Sequence, residues 1–125
     1  MSELLPVGEN VAVSALEQPV ELSAAPDSDT VSGTPRQGIA ELGSIGGVDL
    51  GIWELRGGTV TDTETDECFV VLSGEATIEF LDEPDAQGSP RSVRVVAGDV
   101  MRLVAGSCTR WSVPDHIRKV YIAEP

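Results

Sequence analysis

Between Glu75 and Phe80 apolar and polar residues alternate without a break, with Ala76, Ile78 and Phe80 set against Glu75, Thr77 and Glu79. A period of two puts these sets on opposite faces of an extended chain, which a helix cannot do. The segment therefore reads as a strand with one face in a core and one in water. Short runs rich in Val, Ile and Thr, each closed by Gly, Asp or Pro, fill the rest of residues 36–125 in the same manner. Val48–Leu55 reads as a strand ended by Gly57-Gly58, and Glu67–Leu72 as one ended by Ser73-Gly74. Asp82–Pro90 is a polar hairpin loop, followed by strands over Ser92–Val96, Val100–Val104 and Cys108–Val113. Pro114-Asp115 breaks the last of these, and Ile117–Ala123 closes the domain. Many short strands without a convincing helix predict an all-β sandwich or barrel.

Residues 1–35 differ. Val11-Ala12-Val13 and Val20-Glu21-Leu22 are short apolar pieces separated by Pro19, and Ser, Asp, Gly and Pro dominate from Ala24 to Pro35. This predicts an extended, partly flexible N-terminal arm, able to add a strand to the edge of a neighbouring copy.

The charge narrows the partners. With 21 acidic against 8 basic side chains the net charge is −13, and no basic patch is left to displace counterions from a nucleic acid or an anionic membrane. No apolar run approaches the roughly 20 residues of a membrane span, and Met1–Pro6 lacks the basic, then apolar order of a secretory signal. We expect a cytoplasmic protein that binds neither nucleic acid nor membrane. Cys68 and Cys108 lack metal-site spacing and are expected as free thiols on the side of their strands away from the core. The acidic run Asp62–Glu67 fails as a calcium loop, with Glu67 where that loop needs glycine and Ser73 where it needs glutamate. Its acids other than Glu67 read as a solvated face. His116, the single histidine, reads as a loop residue near the rim, with a general-base role as the lesser alternative.

Two segments carry a resemblance. Glu67-Cys68-Phe69-Val70-Val71-Leu72-Ser73-Gly74 and Gly98-Asp99 with Val104-Ala105-Gly106, Thr109 and Trp111 resemble the two core motifs of the cupin superfamily. Gly51-Ile52-Trp53-Glu54, Thr109–Val113 and Ile117–Tyr121 are similar to the subgroup of ureidoglycine-aminohydrolase-type and EutQ-like cupins. The resemblance implies a double-stranded β-helix, or jelly-roll barrel, as a single domain over residues 36–125.

In metal-binding members the resemblance would place ligands at Thr61, Thr63, Glu67 and Thr109. Three of the four are hydroxyls, which hold first-row transition metals poorly, so neither a metal nor another cofactor is expected. Glu67, Phe69 and Val71 share one strand face, as do Thr109, Trp111 and Val113, and the resemblance turns both faces inward. Thr61, Thr63, Glu67, Phe69, Thr109, Trp111 and Tyr121 are then the expected pocket, with Glu67 as the candidate acid or base unless Arg102 or Arg110 neutralises it. The expected function is binding of a small polar metabolite, with a homodimer as the assembled state. The alternatives are an enzyme similar to ureidoglycine aminohydrolase, acting on a small nitrogen-containing metabolite, and a non-catalytic oligomerisation scaffold.

Overall fold

A computed structural model describes residues 3–125. It is all-β, with seven strands: β1 (Ser23–Ala24), β2 (Thr30–Ile45), β3 (Val48–Thr63), β4 (Glu67–Pro84), β5 (Pro90–Val96), β6 (Val100–Leu103) and β7 (Cys108–Ala123). One 3-10 turn, Asp27–Asp29, precedes β2. The strands lie in the order β1-β2-β3-β7-β4-β5, with β6 also on β4, and every pairing is antiparallel. This is a jelly-roll arrangement.

The sequence predicts more and shorter strands than the fold contains. Gly57-Gly58, Ser73-Gly74 and Pro114-Asp115, read as turns, are bends inside the continuous strands β3, β4 and β7. The ladders show why. Pairing of β7 with β3 skips from Arg56↔His116 to Gly58↔Val113, and with β4 from Gly74↔Ile117 to Thr77↔Ser112. Pro114 therefore sits in a gap common to both ladders, where its missing N–H removes no ladder bond. Gly74 meets this gap with φ +77°, and a Cβ there would lie 1.9 Å from the His116 carbonyl oxygen.

The bend in β4 also exchanges its faces. Phe69 and Val71 are buried before it, whereas Ala76, Ile78 and Phe80 are buried after it. One extra residue flips the alternation, as a bulge must. Bending all three central strands wraps them around a core in which Leu55, Ile78, Leu103 and Ile117 are fully buried.

The arm is docked on its own barrel. β1 pairs with β2 of the same chain, and the Leu5 N–H donates to the Leu42 carbonyl at 2.7 Å. Arg118 holds the arm from below, donating Nε to the Ala15 carbonyl at 2.8 Å and Nη2 to that of Gln18. Its Nη1 donates to Glu54 Oε1 at 3.0 Å, while Arg56 reaches Glu54 Oε2 at 2.7 Å. Burial pushes the Glu54 carboxyl up, but the two guanidiniums outweigh it and hold the group below its usual value. Ile52 and Leu42 are buried apart from the main core, on this outer side. The change of composition at residue 35 falls within β2, because Thr30, Ser32 and Gly33 already pair with β3, across bulges, despite the Gly and Pro content of this stretch.

Candidate functional site

A cavity of about 480 Å³ opens between β2, β3, β7 and the turn joining β3 to β4. That volume is in the usual range for a small-molecule site. Its wall includes Trp53, Thr61, Asp62, Glu64, Glu67, Trp111, Lys119 and Tyr121.

Lys119 is the central group. It follows Ile117 and precedes Tyr121 at two-residue spacing on β7, so all three point inward. Its Nζ lies 4.8 Å from the ring centre of Trp53, 4.4 Å from Phe69 and 4.9 Å from Trp111. These are cation–π distances to three rings at once. The rings brace each other, Trp53 edge-on to Trp111 at 5.3 Å and Phe69 tilted against it at 5.8 Å. Glu67 completes the coordination, accepting from Lys119 Nζ at 3.3 Å and 3.5 Å through its two oxygens. Both side chains are largely buried. Burial raises the Glu67 carboxyl above its ordinary value, and Lys119 offsets only part of that.

A second carboxylate lies beside the pair. Glu64 is buried, and its Oε2 accepts from Thr109 Oγ1 at 2.7 Å and Trp111 Nε1 at 2.9 Å. Backbone bonds position it, with Glu64 N–H donating to the Ser107 carbonyl and Gly106 N–H to that of Glu64, each at 2.9 Å. Asp62 lies at the mouth, its carboxyl raised to about 6 by partial burial and then by the Glu64 charge. Tyr121 fits because Gly51 has no side chain; a Cβ there would lie 2.3 Å from its hydroxyl oxygen. Burial, then Glu41, Asp49 and Glu67, push that phenol up.

Of the residues expected in the pocket, Thr61, Glu67, Trp111 and Tyr121 line the cavity. Phe69 and Thr109 lie behind it, fully buried, one under Lys119 and the other under Glu64. Thr63 is exposed at the last position of β3, opposite the exposed Cys108, beyond the covered part of the barrel. Neither arginine proposed for Glu67 reaches it, since Arg102 points to Asp66 and Arg110 to Glu79. Lys119 takes that role. Glu64 is not part of a solvated face, because the loop-to-loop bonds turn it inward. His116 belongs to β7 rather than to a loop, with Nδ1 2.6 Å from Asp115 and Nε2 3.1 Å from Ser73. Cys68 and Cys108 are exposed free thiols.

The positions that resemble metal ligands do not fit a transition metal. Thr109 is committed to Glu64, Thr63 stands outside, and Glu67 already holds a cation. Among the described residues no three His, Cys, Asp or Glu side chains gather into a metal-binding group. The arrangement instead offers aromatic faces, a neutralised ion pair and further carboxylate acceptors.

Comparison with known proteins agrees with this architecture. A family model described as EutQ-like cupin domain matches residues 42–121. A putative ethanolamine utilization protein EutQ from Salmonella typhimurium is 26% identical over 71% of this chain and 69% of its own, with a TM-score of 0.56. Clostridium difficile EutQ is 23% identical, covering 82% of this chain and 80% of its own, with a TM-score of 0.60. A Pseudomonas syringae protein of unknown function is 19% identical over 88% of this chain and 46% of its own, at a TM-score of 0.65. No curated protein matches the sequence. No helix among the described residues is long and apolar enough to cross a membrane.

Proposed function

The chain belongs to the EutQ-like cupin family, and from that premise we propose that its barrel binds a small polar metabolite without a transition metal. One observation carries this reading: the Lys119 ammonium, held by Glu67 and three aromatic rings, forms the floor of an open cavity. A fixed charge pair of this kind sets the polarity of the site as a bound metal would, but it is built from the chain's own side chains. The walls set aromatic and aliphatic surface from Trp53, Trp111, Tyr121, Ile39 and Val60 beside placed polar and charged groups, as small-molecule sites do.

The test has two arms. Elemental analysis of purified protein is expected to find no manganese, iron, nickel or zinc in stoichiometric amount. A thermal-shift screen of small amines, ureides, keto acids and sugars is expected to find a stabilising compound. Stoichiometric metal would overturn the first half of the reading, and a screen with no stabiliser the second.

A second reading, catalysis on a small nitrogen-containing metabolite, draws on one observation. The raised carboxyl of Glu67 keeps it nearer to neutral pH than a surface glutamate, where proton transfer is most effective. Turnover of a ureide that Glu67→Gln abolishes without losing binding would establish it.

A further inference from the structure

The charges around the cavity do not balance. Among the described residues Lys119 is the one cation on its wall, against Asp29, Asp62, Glu64 and Glu67. Its charge is matched by Glu67 at 3.3 Å and spread over the three rings. It therefore has little left to offer an incoming anion, which would also meet the remaining carboxylates.

Glu64 shows the opposite need. It is only 6% exposed, yet both of its donors, the Thr109 hydroxyl and the Trp111 indole, are neutral and both bind Oε2. Oε1 has no hydrogen-bond partner among the described residues, and the side chain stands on the cavity wall. Oε1 keeps access to the cavity, so a carboxylate oxygen with no counter-charge is presented to whatever the cavity holds. Asp62, at the mouth, accepts only from the Thr63 backbone N–H through its Oδ1 and makes no salt bridge among the described residues, Lys119 acting on it without contact. The face of Trp53 and the ring of Tyr121 provide apolar surface beside them.

We propose that the metabolite bound by this cavity is a small organic cation, a protonated amine or guanidine, whose charged N–H donors bind Glu64 Oε1 and Asp62 while its carbon skeleton lies against Trp53 and Tyr121. The inference rests on the reading of the cavity as a ligand site and names the class of ligand. It also gives the binding a pH dependence. Ionised Asp62 holds the cation and protonated Asp62 does not, so affinity falls as pH drops through about 6. The charges acting on Asp62 are Glu64 and Asp29, which repel it, and Lys119, which attracts it; a bound cation offsets the repulsion.

Three compounds of nearly equal size and different charge separate the possibilities: propylamine, propan-1-ol and propionate. Titrated into ¹⁵N-labelled protein near pH 8, propylamine is expected to shift the Trp111 indole N–H resonance with saturation, and the other two are not. Glu64→Gln, which keeps an acceptor for Thr109 and Trp111, is expected to weaken propylamine roughly tenfold or more, the size of a lost charge-assisted hydrogen bond. Asp62→Asn is expected to weaken it less and to remove the fall in affinity below about pH 6. Equal or tighter binding of the alcohol or of propionate, or unchanged binding by Glu64→Gln, overturns the cation assignment and leaves the pocket standing. No response to any compound in the thermal-shift panel or in this set overturns both.

Discussion

Lys119 on β7 and Glu67 on β4 approach to 3.3 Å inside the barrel, and three aromatic rings surround the same ammonium. The two strands are neighbours, but the residues are not direct ladder partners; Lys119 stands opposite Val71 and reaches diagonally along the strand to Glu67. A long aliphatic stem permits that reach while staying within the core.

Breaking this pair leaves a buried carboxylate without its cation. Lys119→Met is expected to cost about 3–5 kcal/mol near neutral pH, whereas the double variant with Glu67→Gln loses clearly less. Urea denaturation of both single variants and the double completes the cycle. Equal losses that simply add would show that the two side chains act independently.

Asp62 gives a pH signature. Its carboxyl is raised from 3.8 to about 6 in the folded chain, so the fold favours the protonated form. Between those values the folded state holds more proton than the unfolded one, and stability from this group is lost as pH rises through the window. Asp62→Asn keeps the acceptor for the Thr63 N–H and removes the charge. The variant is expected to melt at a higher temperature than wild type near pH 8, with the difference closing by about pH 4. Melting curves across that range check the sign.

Arg118 ties the arm to the barrel through two carbonyls of the arm and one carboxylate of β3. Arg118→Met is expected to release amide protection around Ala15–Gln18 while the core positions Ile78 and Ile117 keep theirs. Hydrogen exchange read residue by residue distinguishes this from general unfolding. Protection in the arm equal to wild type would show that the apolar contacts hold it unaided.

Gly74→Ala is expected to destabilise by more than the roughly 1–2 kcal/mol of a left-handed alanine. The added Cβ would also stand 1.9 Å from a backbone oxygen of β7, which cannot move aside as a side chain can. Gly98→Ala, at φ +95° but with open space around it, provides the control with the backbone cost alone. Equal losses at the two positions would remove the steric part of the argument.

The alternation of Ala76, Ile78 and Phe80 and the order of the motifs around Glu67 and Gly98 were enough to read an all-β cupin barrel from the sequence. The resemblance, rather than periodicity alone, turned Trp111 and Tyr121 inward. Lys119 was within reach of that logic, since two residues before an inward Tyr121 is an inward position; its charge disguised it, because a lone lysine in a strand reads as solvated. Glu64 was not legible. It lies in a turn outside any periodic segment, and its direction depends on backbone bonds to Gly106 and Ser107 more than forty residues away along the chain. The bends were misread for a related reason: a Gly-Gly or a Pro-Asp marks a stop in an isolated strand but a fold line in a strand paired on both sides. Whether the proline costs a bond depends on ladder gaps that only the partners define.

Strand β7 lies between β3 and β4, and it carries Lys119 toward the cavity and Arg118 toward the arm from adjacent positions. During synthesis the ribosome delivers this central strand last of the seven. Until it emerges, β3 and β4 each present a long edge with no neighbour, and neither the aromatic box nor the anchor for the arm exists. β1, β2 and β3 can pair with one another before β7 is made, as can β4, β5 and β6, but the two groups join only through β7. This makes those waiting edges the window in which a chaperone or an aggregating neighbour competes with the fold.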